Sequence, residues 1–402
     1  MSKIILHIDL NAFFVRCEEI KDPSLKGKPV LIGKTGRGGI VSTCSYAARE
    51  KGVRSGMPTY QALLKCPNCL VLPGDYKYYS EKSHEFFNFI KKYTVLVEPA
   101  SVDECFADFT DVLKSEKDPI GFLRKLQKDL FIETGLNCSI GVAPTKFLAK
   151  MASDMKKPNG LTVIRKKDSR KILSPLPIED FFGIGKKTSP RLKEIGINTI
   201  GDLIQKIDDE DLQVKRELGK FYYVIKDWID GKGNDKVDIE PFDPKSVGHS
   251  TTLLSDAVSV EELEKPLREL SDEVSRDAKK DNKIGKTVQL VLKDNEFKVI
   301  NRSKRLVEAS NDADVIYKTA HELLVKNYDG RPTRLIGVTL QQLKNPKQSL
   351  EQLSIFDNYE EIKEENKTRL LIGELNRKMN KSVFKTAADQ LLENEHDNKR
   401  RM

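Results

Sequence analysis

The sequence predicts an α+β chain of several domains, in which two mixed units of βαββαβ order flank a helical segment. Three observations predict this. Between residues 3 and 165 the apolar pattern runs strand, helix, strand, strand, helix, strand once a short insertion is set aside. The same order returns between residues 245 and 344. Residues 166–235 carry helical spacing throughout. At 402 residues the chain is long enough for two to four domains of ordinary size.

The elements follow in order. KIILHID (3–9) reads as a short buried strand, and AFFVRCEEI (12–20) has helical spacing. Residues 12–76 form the insertion, rich in Gly and basic residues at GKTGRGG (33–39). SEKSHEFFNFIKKY (80–93) is a helix with Phe86, Phe87 and Ile90 on one side. TVLVEP and DECFADF are strand-like runs joined at Pro99-Ala100-Ser101, a hairpin signal. PIGFLRKLQKDLFIETG is an amphipathic helix stopped by Gly135. CSIGVA is a strand. PTKFLAKMASDMKKPNG is a helix capped at Thr145 and ended by Pro158 and Gly160, and LTVIR is one more strand. Residues 236–244, with two prolines, make a linker. After residue 344 the chain turns polar, with one apolar cluster at LEQLSIF.

Composition narrows the function only slightly. The formal net charge of +8 allows a phosphate-bearing partner without naming one. No apolar run approaches membrane-spanning length, and MSKIILHIDL lacks the apolar core and cleavage site of a signal peptide. Of six cysteines only Cys66 and Cys69 are spaced CxxC, with no second pair or histidines nearby to complete a zinc site. They read as incidental thiols of a cytoplasmic protein.

The sharper signal is acidic. In a split βαβ order strand three lies between strands one and two, antiparallel to strand one. The end of strand one, at Asp9, therefore meets the start of strand three, at Asp103 and Glu104. Converging carboxylates repel unless raised pKa values or a cation relieve them. Oxygen ligands without His or Cys favour Mg²⁺ or Mn²⁺. Two such ions about 3.5–4 Å apart can activate an attacking oxygen and stabilise a leaving one. The plainer alternative is that Asp9 and Glu104 are surface acids at strand ends. Adjacent residues on a regular strand point to opposite faces, so the strand is expected to be irregular at Asp103-Glu104.

In order along the chain, DLNAFF (9–14), STCSYAAREKGVRSGMP (42–58), SVDE (101–104), SIGVAPTKFLAKMASDMKKPNG (139–160) and FFGIGKKT (181–188) resemble the motifs of the Y-family DNA polymerases. The likeness is nearest the DinB (DNA polymerase IV) branch and its UmuC-like bacterial relatives, and covers nearly the whole chain. Asn11 departs from it, standing where many members carry Asp, at a position that is not one of the family's metal ligands. The resemblance implies a right-hand polymerase performing low-fidelity translesion synthesis. Its ferredoxin-like palm would be 1–11 and 77–165, its fingers 12–76, and its thumb, with a helix-hairpin-helix, 166–235. A linker at 236–244 would lead to a second βαββαβ unit, the little finger, at 245–344, and a polar tail at 345–402.

The same resemblance implies roles for residues. Asp9, Asp103 and Glu104, with the backbone carbonyl of Leu10, would hold two Mg²⁺ ions while a primer 3′ hydroxyl attacks a dNTP. Thr43, Tyr46, Arg49 and Lys157 would contact the triphosphate. Phe14 would be the steric gate against ribonucleotides, and Phe13 is either core or a nucleotide contact. Val30, Ile40 and Gly56 would lie near the templating base.

Partners follow. Primer-template DNA would be held by Gly183, Gly185 and Lys186 of the hairpin and by Lys298, Arg302, Lys304 and Arg305 of the 293–305 run (KDNEFKVINRSKR), because over the 245–344 unit bases cluster on strands and acids on helices. The plainer alternative there is a solvated sheet face. QLSIF resembles the peptide that docks bacterial polymerases on the sliding clamp, with Leu353, Ile355 and Phe356 filling an apolar pocket and Gln352 as polar anchor beside Ser354. The protein is expected to act as a monomer. Two other readings remain: a catalytically inactive DNA- and clamp-binding accessory protein, and a nucleotidyl cyclase built on the same palm.

Overall fold

A computed structural model of the chain describes residues 3–240 and 242–346. The chain divides at residue 242 into two compact units. QLSIF, Gln352 to Phe356, lies outside the described residues.

The first unit contains strands β1 (Ile5–Leu10), β2 (Val30–Gly33), β3 (Val41–Cys44), β4 (Leu70–Leu72), β5 (Val97–Pro99), β6 (Glu104–Asp108), β7 (Cys138–Ala143) and β8 (Leu161–Val163). Its helices are α1 (Phe13–Lys21), α2 (Tyr46–Glu50), α3 (Thr59–Lys65), α4 (Tyr76–Lys91), α5 (Thr110–Lys114), α6 (Pro119–Thr134) and α7 (Lys146–Asp154). These are followed by α8 (Ser169–Leu173), α9 (Thr188–Glu194), α10 (Ile200–Asp208), α11 (Leu212–Leu218) and α12 (Phe221–Ile229).

Five strands form one sheet in the order β5-β6-β1-β7-β8. β6 lies between β5 and β1 and pairs antiparallel with β1, bringing Asp9 opposite Glu104. Both faces of this sheet are covered. Leu6, Ile8 and Leu10 face one core with Phe13 and Val15 of α1, Phe86 and Ile90 of α4, and Leu126 and Leu130 of α6. Ile5 and Ala143 join a second core with Phe147, Leu148 and Met151 of α7 and with Leu192, Leu203 and Ile225 of α9, α10 and α12. Burial on both sides explains why CSIGVA shows no polar alternation: all six residues of β7 are buried.

Local signals place the helices. Asp75 caps α4 through the Tyr78 amide, so the helix begins at Tyr76, four residues before the apolar periodicity suggested a start. Gly135, in the left-handed region at φ 76°, ends α6. Thr145 caps α7, which stops at Asp154, earlier than the Pro158-Gly160 signal. The residue before a proline is steered out of the helical region, and Asn159 takes a left-handed turn at φ 61°.

α1 packs with the five-stranded sheet, although it falls within the 12–76 insertion. The rest of the insertion has a three-stranded sheet, β3-β2-β4, and a small core of its own around Leu31, Val41, Ala48 and Ala62. Cys44, Cys66 and Cys69 are buried there as free thiols.

The second unit has β9 (Ser246–Ala257), α13 (Val260–Lys280), β10 (Gly285–Asp294), β11 (Val299–Ser310), α14 (Ala313–Asn327) and β12 (Thr333–Gln341). Its sheet runs β11-β10-β12-β9, antiparallel throughout. Both helices contribute to one core, with Leu267, Val274, Ile316 and Leu324 against Val288, Leu290, Ile336 and Val338. No described helix is long and apolar enough to cross a membrane.

Candidate active site

Strand alternation puts His7 and Asp9 on the side of the sheet that faces α7, and Glu104 joins them as the partner of Asp9. One ligand atom from each of His7, Asp9 and Glu104 lies within 4.8 Å of the others, the sole such cluster among the described residues. The carboxylates sit against two ammonium groups. Lys150 Nζ lies 2.5 Å from Glu104 Oε2 and 3.4 Å from Asp9 Oδ2. Lys157 Nζ lies 2.8 Å from Asp9 Oδ2 and 2.7 Å from Asp154 Oδ1.

His7 was not foreseen from the sequence. It is fully buried, its Nδ1 shares a hydrogen bond with Ser153 Oγ at 2.8 Å, and its Nε2 stands 3.4 Å from Glu104 Oε2 with no hydrogen-bond partner. The signal available was its place two residues before Asp9, which on a strand means the same face.

These groups divide in their protonation. Burial raises the Asp9 carboxyl above the ordinary aspartate value, against the pull of Lys157 and Lys150. The His7 ring and then the Lys150 ammonium hold Glu104 well below the usual carboxylate range. Burial lowers His7, against the pull of Glu104. Lys150 and Lys157 are both raised, since the acids outweigh their own burial. The sheet edge is thus a concentration of negative charge that requires cations, and its donors are chiefly oxygens.

Asp103 stands apart from this cluster. It precedes β6 in the Ser101–Asp103 bend, so the strand is irregular at the point where two adjacent acids had to be aimed together. Its carbonyl accepts from the Leu10 amide at 2.9 Å, and Ser101 Oγ donates to its Oδ1 at 2.6 Å. It lines the same cleft as Asp9 and Leu10.

That cleft, about 350 Å³, is lined by Asp9, Leu10, Val102, Asp103 and Lys157 from the sheet side and by Ser42, Thr43, Tyr46 and Arg49 from the insertion. Ala12, in the left-handed region at φ 46°, turns the chain sharply from β1 into α1 and brings Phe13 and Phe14 to its floor. Such a conformation costs a non-glycine residue about 1 kcal/mol or more and is concentrated at functional sites. Tyr46 and Arg49 share a face of α2, with the guanidinium 4.8 Å from the ring centre and Arg49 Nε donating to the Cys44 carbonyl at 3.2 Å. Phe13 is buried in the core and Phe14 is partly exposed, and both line the cleft. Val30, the first residue of β2, is fully buried in the core that holds Leu6 and Phe13. Ile40 and Gly56, in contrast, are exposed.

The sites expected to hold nucleic acid are distributed unevenly. Gly183 takes φ 94°, and a Cβ there would meet the Phe221 ring at 2.6 Å, so the hairpin before α9 requires glycine at that position. The amides of Gly185, Lys186 and Lys187 have no partner among the described residues. In the second unit alternation splits the basic run. Arg305 lies on the sheet face opposite the helices, in register with Thr287. Arg302 and Lys304 turn the other way: Arg302 Nε donates to Asn327 Oδ1, and Lys304 pairs with Glu322 of α14. Lys298 pairs with Glu296 in the preceding turn. Arg305 therefore stands on the open face while Arg302 and Lys304 turn to the helix side, because successive residues of a strand alternate sides.

Residues 8–154 match the impB/mucB/samB family, 244–355 match its C-terminal domain, and 166–197 match the IMS family HHH motif. A DNA polymerase IV of Oceanobacillus iheyensis is 39% identical over 385 residues, covering 95% of this chain and 91% of the relative. DNA polymerase IV 1 of Bacillus subtilis is 38% identical, covering 96% and 93%. Among solved structures, a "Y-family DNA polymerase chimera Dbh-Dpo4(243-245)-Dbh" superposes with a TM-score of 0.75 at 28% identity, covering 85% of this chain and 99% of the other. An insertion ternary complex of Dbh DNA polymerase matches at 0.59 and 27% identity, with the same coverage.

Proposed function

The chain belongs to the impB/mucB/samB family, the DinB-like Y-family DNA polymerases, and from that premise we propose how its geometry carries out template-directed DNA synthesis past lesions. One observation carries the reading. A single cleft brings the carboxylates, with Lys157 beside Asp9, together with Arg49 and Tyr46 of the insertion. A triphosphate needs cations along its length, and the primer hydroxyl that attacks it needs a place at the acidic edge.

The family uses divalent metal, and we assign Mg²⁺ to this site. Asp9, Asp103 and Glu104 with the Leu10 carbonyl would hold it, and the fit rests on oxygen donors at an edge that two lysines now neutralise. When bound, the metal supplies charge stabilisation to the attacking and leaving oxygens. The rest falls to the chain's own groups. Arg49 grips phosphate oxygens from α2, kept in place by its bond to the Cys44 carbonyl. Lys157 reaches the same phosphates from the sheet side, exchanging Asp9 for phosphate. Phe14 lies under the sugar and selects deoxyribonucleotides.

In this reading the five-stranded sheet is the palm, the β3-β2-β4 insertion the fingers and the α8–α12 helices the thumb. The second unit is the little finger. The unpartnered amides at Gly185 and Lys186 would meet a backbone phosphate, and Arg305 would do so from the open sheet face. QLSIF would dock on the sliding clamp, and the protein would act as a monomer. Six free, buried thiols suit a reducing cytosol.

Primer extension with Mg²⁺ and dNTPs over damaged and undamaged templates tests the whole reading. Extension past lesions is expected. Binding of primer-template without nucleotide addition would leave only the accessory role. Deleting 352–356 should cost clamp-stimulated synthesis and spare clamp-free synthesis; equal loss of both would make the segment structural.

A further inference from the structure

α1 carries a buried acid that the reaction does not use. Glu18 lies one turn after Phe14, at the i, i+4 spacing that puts both on one helix face. It is 8% exposed, at the margin of an otherwise apolar core. A buried carboxylate is costly unless its lone pairs are filled. Here Tyr79 Oη donates to Glu18 Oε1 at 2.6 Å, and Lys21 Nζ lies 3.0 Å from Oε2.

Tyr79 connects this acid to the cleft. Its ring is stacked on Phe14, with centres 4.5 Å apart and planes at 14°. Tyr76 meets Phe14 edge-on at 5.7 Å. Phe14 lines the cleft and Tyr79 does not, so Tyr79 stands behind Phe14 as seen from the nucleotide. The helix carrying both tyrosines is tied to the same network. Lys21 also reaches Asp75 Oδ2 at 3.1 Å, and Asp75 Oδ1 caps α4 at the Tyr78 amide. Burial and the facing carboxylate push the Tyr79 phenol up, so it stays a donor.

We propose that Glu18 is a positioning residue for sugar discrimination: by anchoring the Tyr79 hydroxyl it fixes the ring against which Phe14 rests, so that Phe14 cannot retreat from a 2′ hydroxyl. The inference rests on the reading of Phe14 as the steric gate. A packing role alone would be met by Leu, and a buried ion replaced by a fitting apolar side chain is often neutral for stability. What Leu cannot do is hold the Tyr79 hydroxyl. A gate works only as well as the stiffness behind it, because exclusion of one hydroxyl group depends on sub-ångström placement.

The test uses the full chain with primer-template DNA and reads the ratio of kcat/KM for a dNTP to that for the matching rNTP. Phe14→Ala is the control for the gate. Glu18→Leu should lower the ratio by about tenfold, and Tyr79→Phe by a similar factor, with the double variant no worse than either single one. Glu18→Gln keeps an acceptor and should stay within about threefold of the parent. A parental ratio in both Glu18→Leu and Tyr79→Phe, while Phe14→Ala collapses it, would overturn the anchoring role and leave the gate standing. Additive effects in the double variant would also overturn it, since Glu18 would then act by another route. An unchanged ratio in Phe14→Ala would remove the gate and this inference with it. Should Glu18→Leu fail to fold, Tyr79→Phe, which loses one hydroxyl and keeps the ring, decides by the same ratio.

Discussion

The sheets of the two units share one element order, and in both the fourth strand lies beside the first, but only in the first unit does the third strand lie there as well. In the first unit the third strand of the order, β6, lies next to β1, and the first strand's end pairs Asp9 with Glu104. In the second unit the fourth strand, β12, lies next to β9, and the corresponding end pairs Ala257 with Thr333. The covering differs as well. β7 is buried on both faces, whereas β10 alternates, with Val288, Leu290 and Leu292 inside and Gln289, Val291 and Lys293 on the uncovered side. One sheet concentrates buried charge at an edge, and the other spreads polar groups over a face. The first suits chemistry at a point, and the second suits a long polymer held by its backbone.

The largest expected difference is in activity. Glu104→Gln should reduce primer extension on the order of 10³-fold, ~4 kcal/mol of barrier, with DNA binding largely intact by anisotropy. Asp103→Ala should do the same despite its place outside the buried cluster; substantial residual extension would remove Asp103 from the metal site.

Stability comes next. Ile140→Ala, in the doubly covered sheet, should cost ~3 kcal/mol in denaturant melts. Val291→Ala, on the open face, should stay within about 0.5 kcal/mol. Equal costs would mean that the second sheet is covered on both faces in solution.

Smaller effects should split the palm acids by sign. Asp9 is raised when folded, so its ionised form at pH 7 costs stability, and Asp9→Asn should raise Tm even as it abolishes extension. Glu104 is lowered when folded, so it contributes stability above the ordinary glutamate pKa that is lost as pH falls below it. Glu104→Gln should therefore lower Tm at pH 7, by an amount that shrinks in acid. Shifts of the same sign would contradict the division between these neighbours.

The smallest effect concerns the open face. Arg305→Ala should lower the slope of log affinity against log salt by about 0.9. Arg302→Ala and Lys304→Ala should change it by less than half as much, because both side chains turn toward α14. Equal slopes for all three would mean that Arg302 and Lys304 leave their α14 partners to meet phosphate.

Much of the fold was legible because apolar periodicity reports locally. The elements of both βαββαβ units, the Thr145 and Gly135 signals and the meeting of Asp9 with Glu104 all follow from period and connection rules. The cleft residues Phe14, Thr43, Tyr46, Arg49 and Lys157 were legible only through motif resemblance, since each alone reads as an ordinary helix or loop residue. Helix ends were misjudged where a single side chain decides them, as with Asp75.

By itself the sequence determined which residues alternate, which segments form strands and helices, and that three acids need a cation. Only the tertiary structure decided that His7 and Lys150 sit on Glu104, that Asp103 stands in the bend outside its strand, and that Arg302 faces a helix while Arg305 does not. The physical reason is that a strand's period assigns its residues to two sides, but which side is covered, and by which neighbour, is set by packing between elements far apart in the chain.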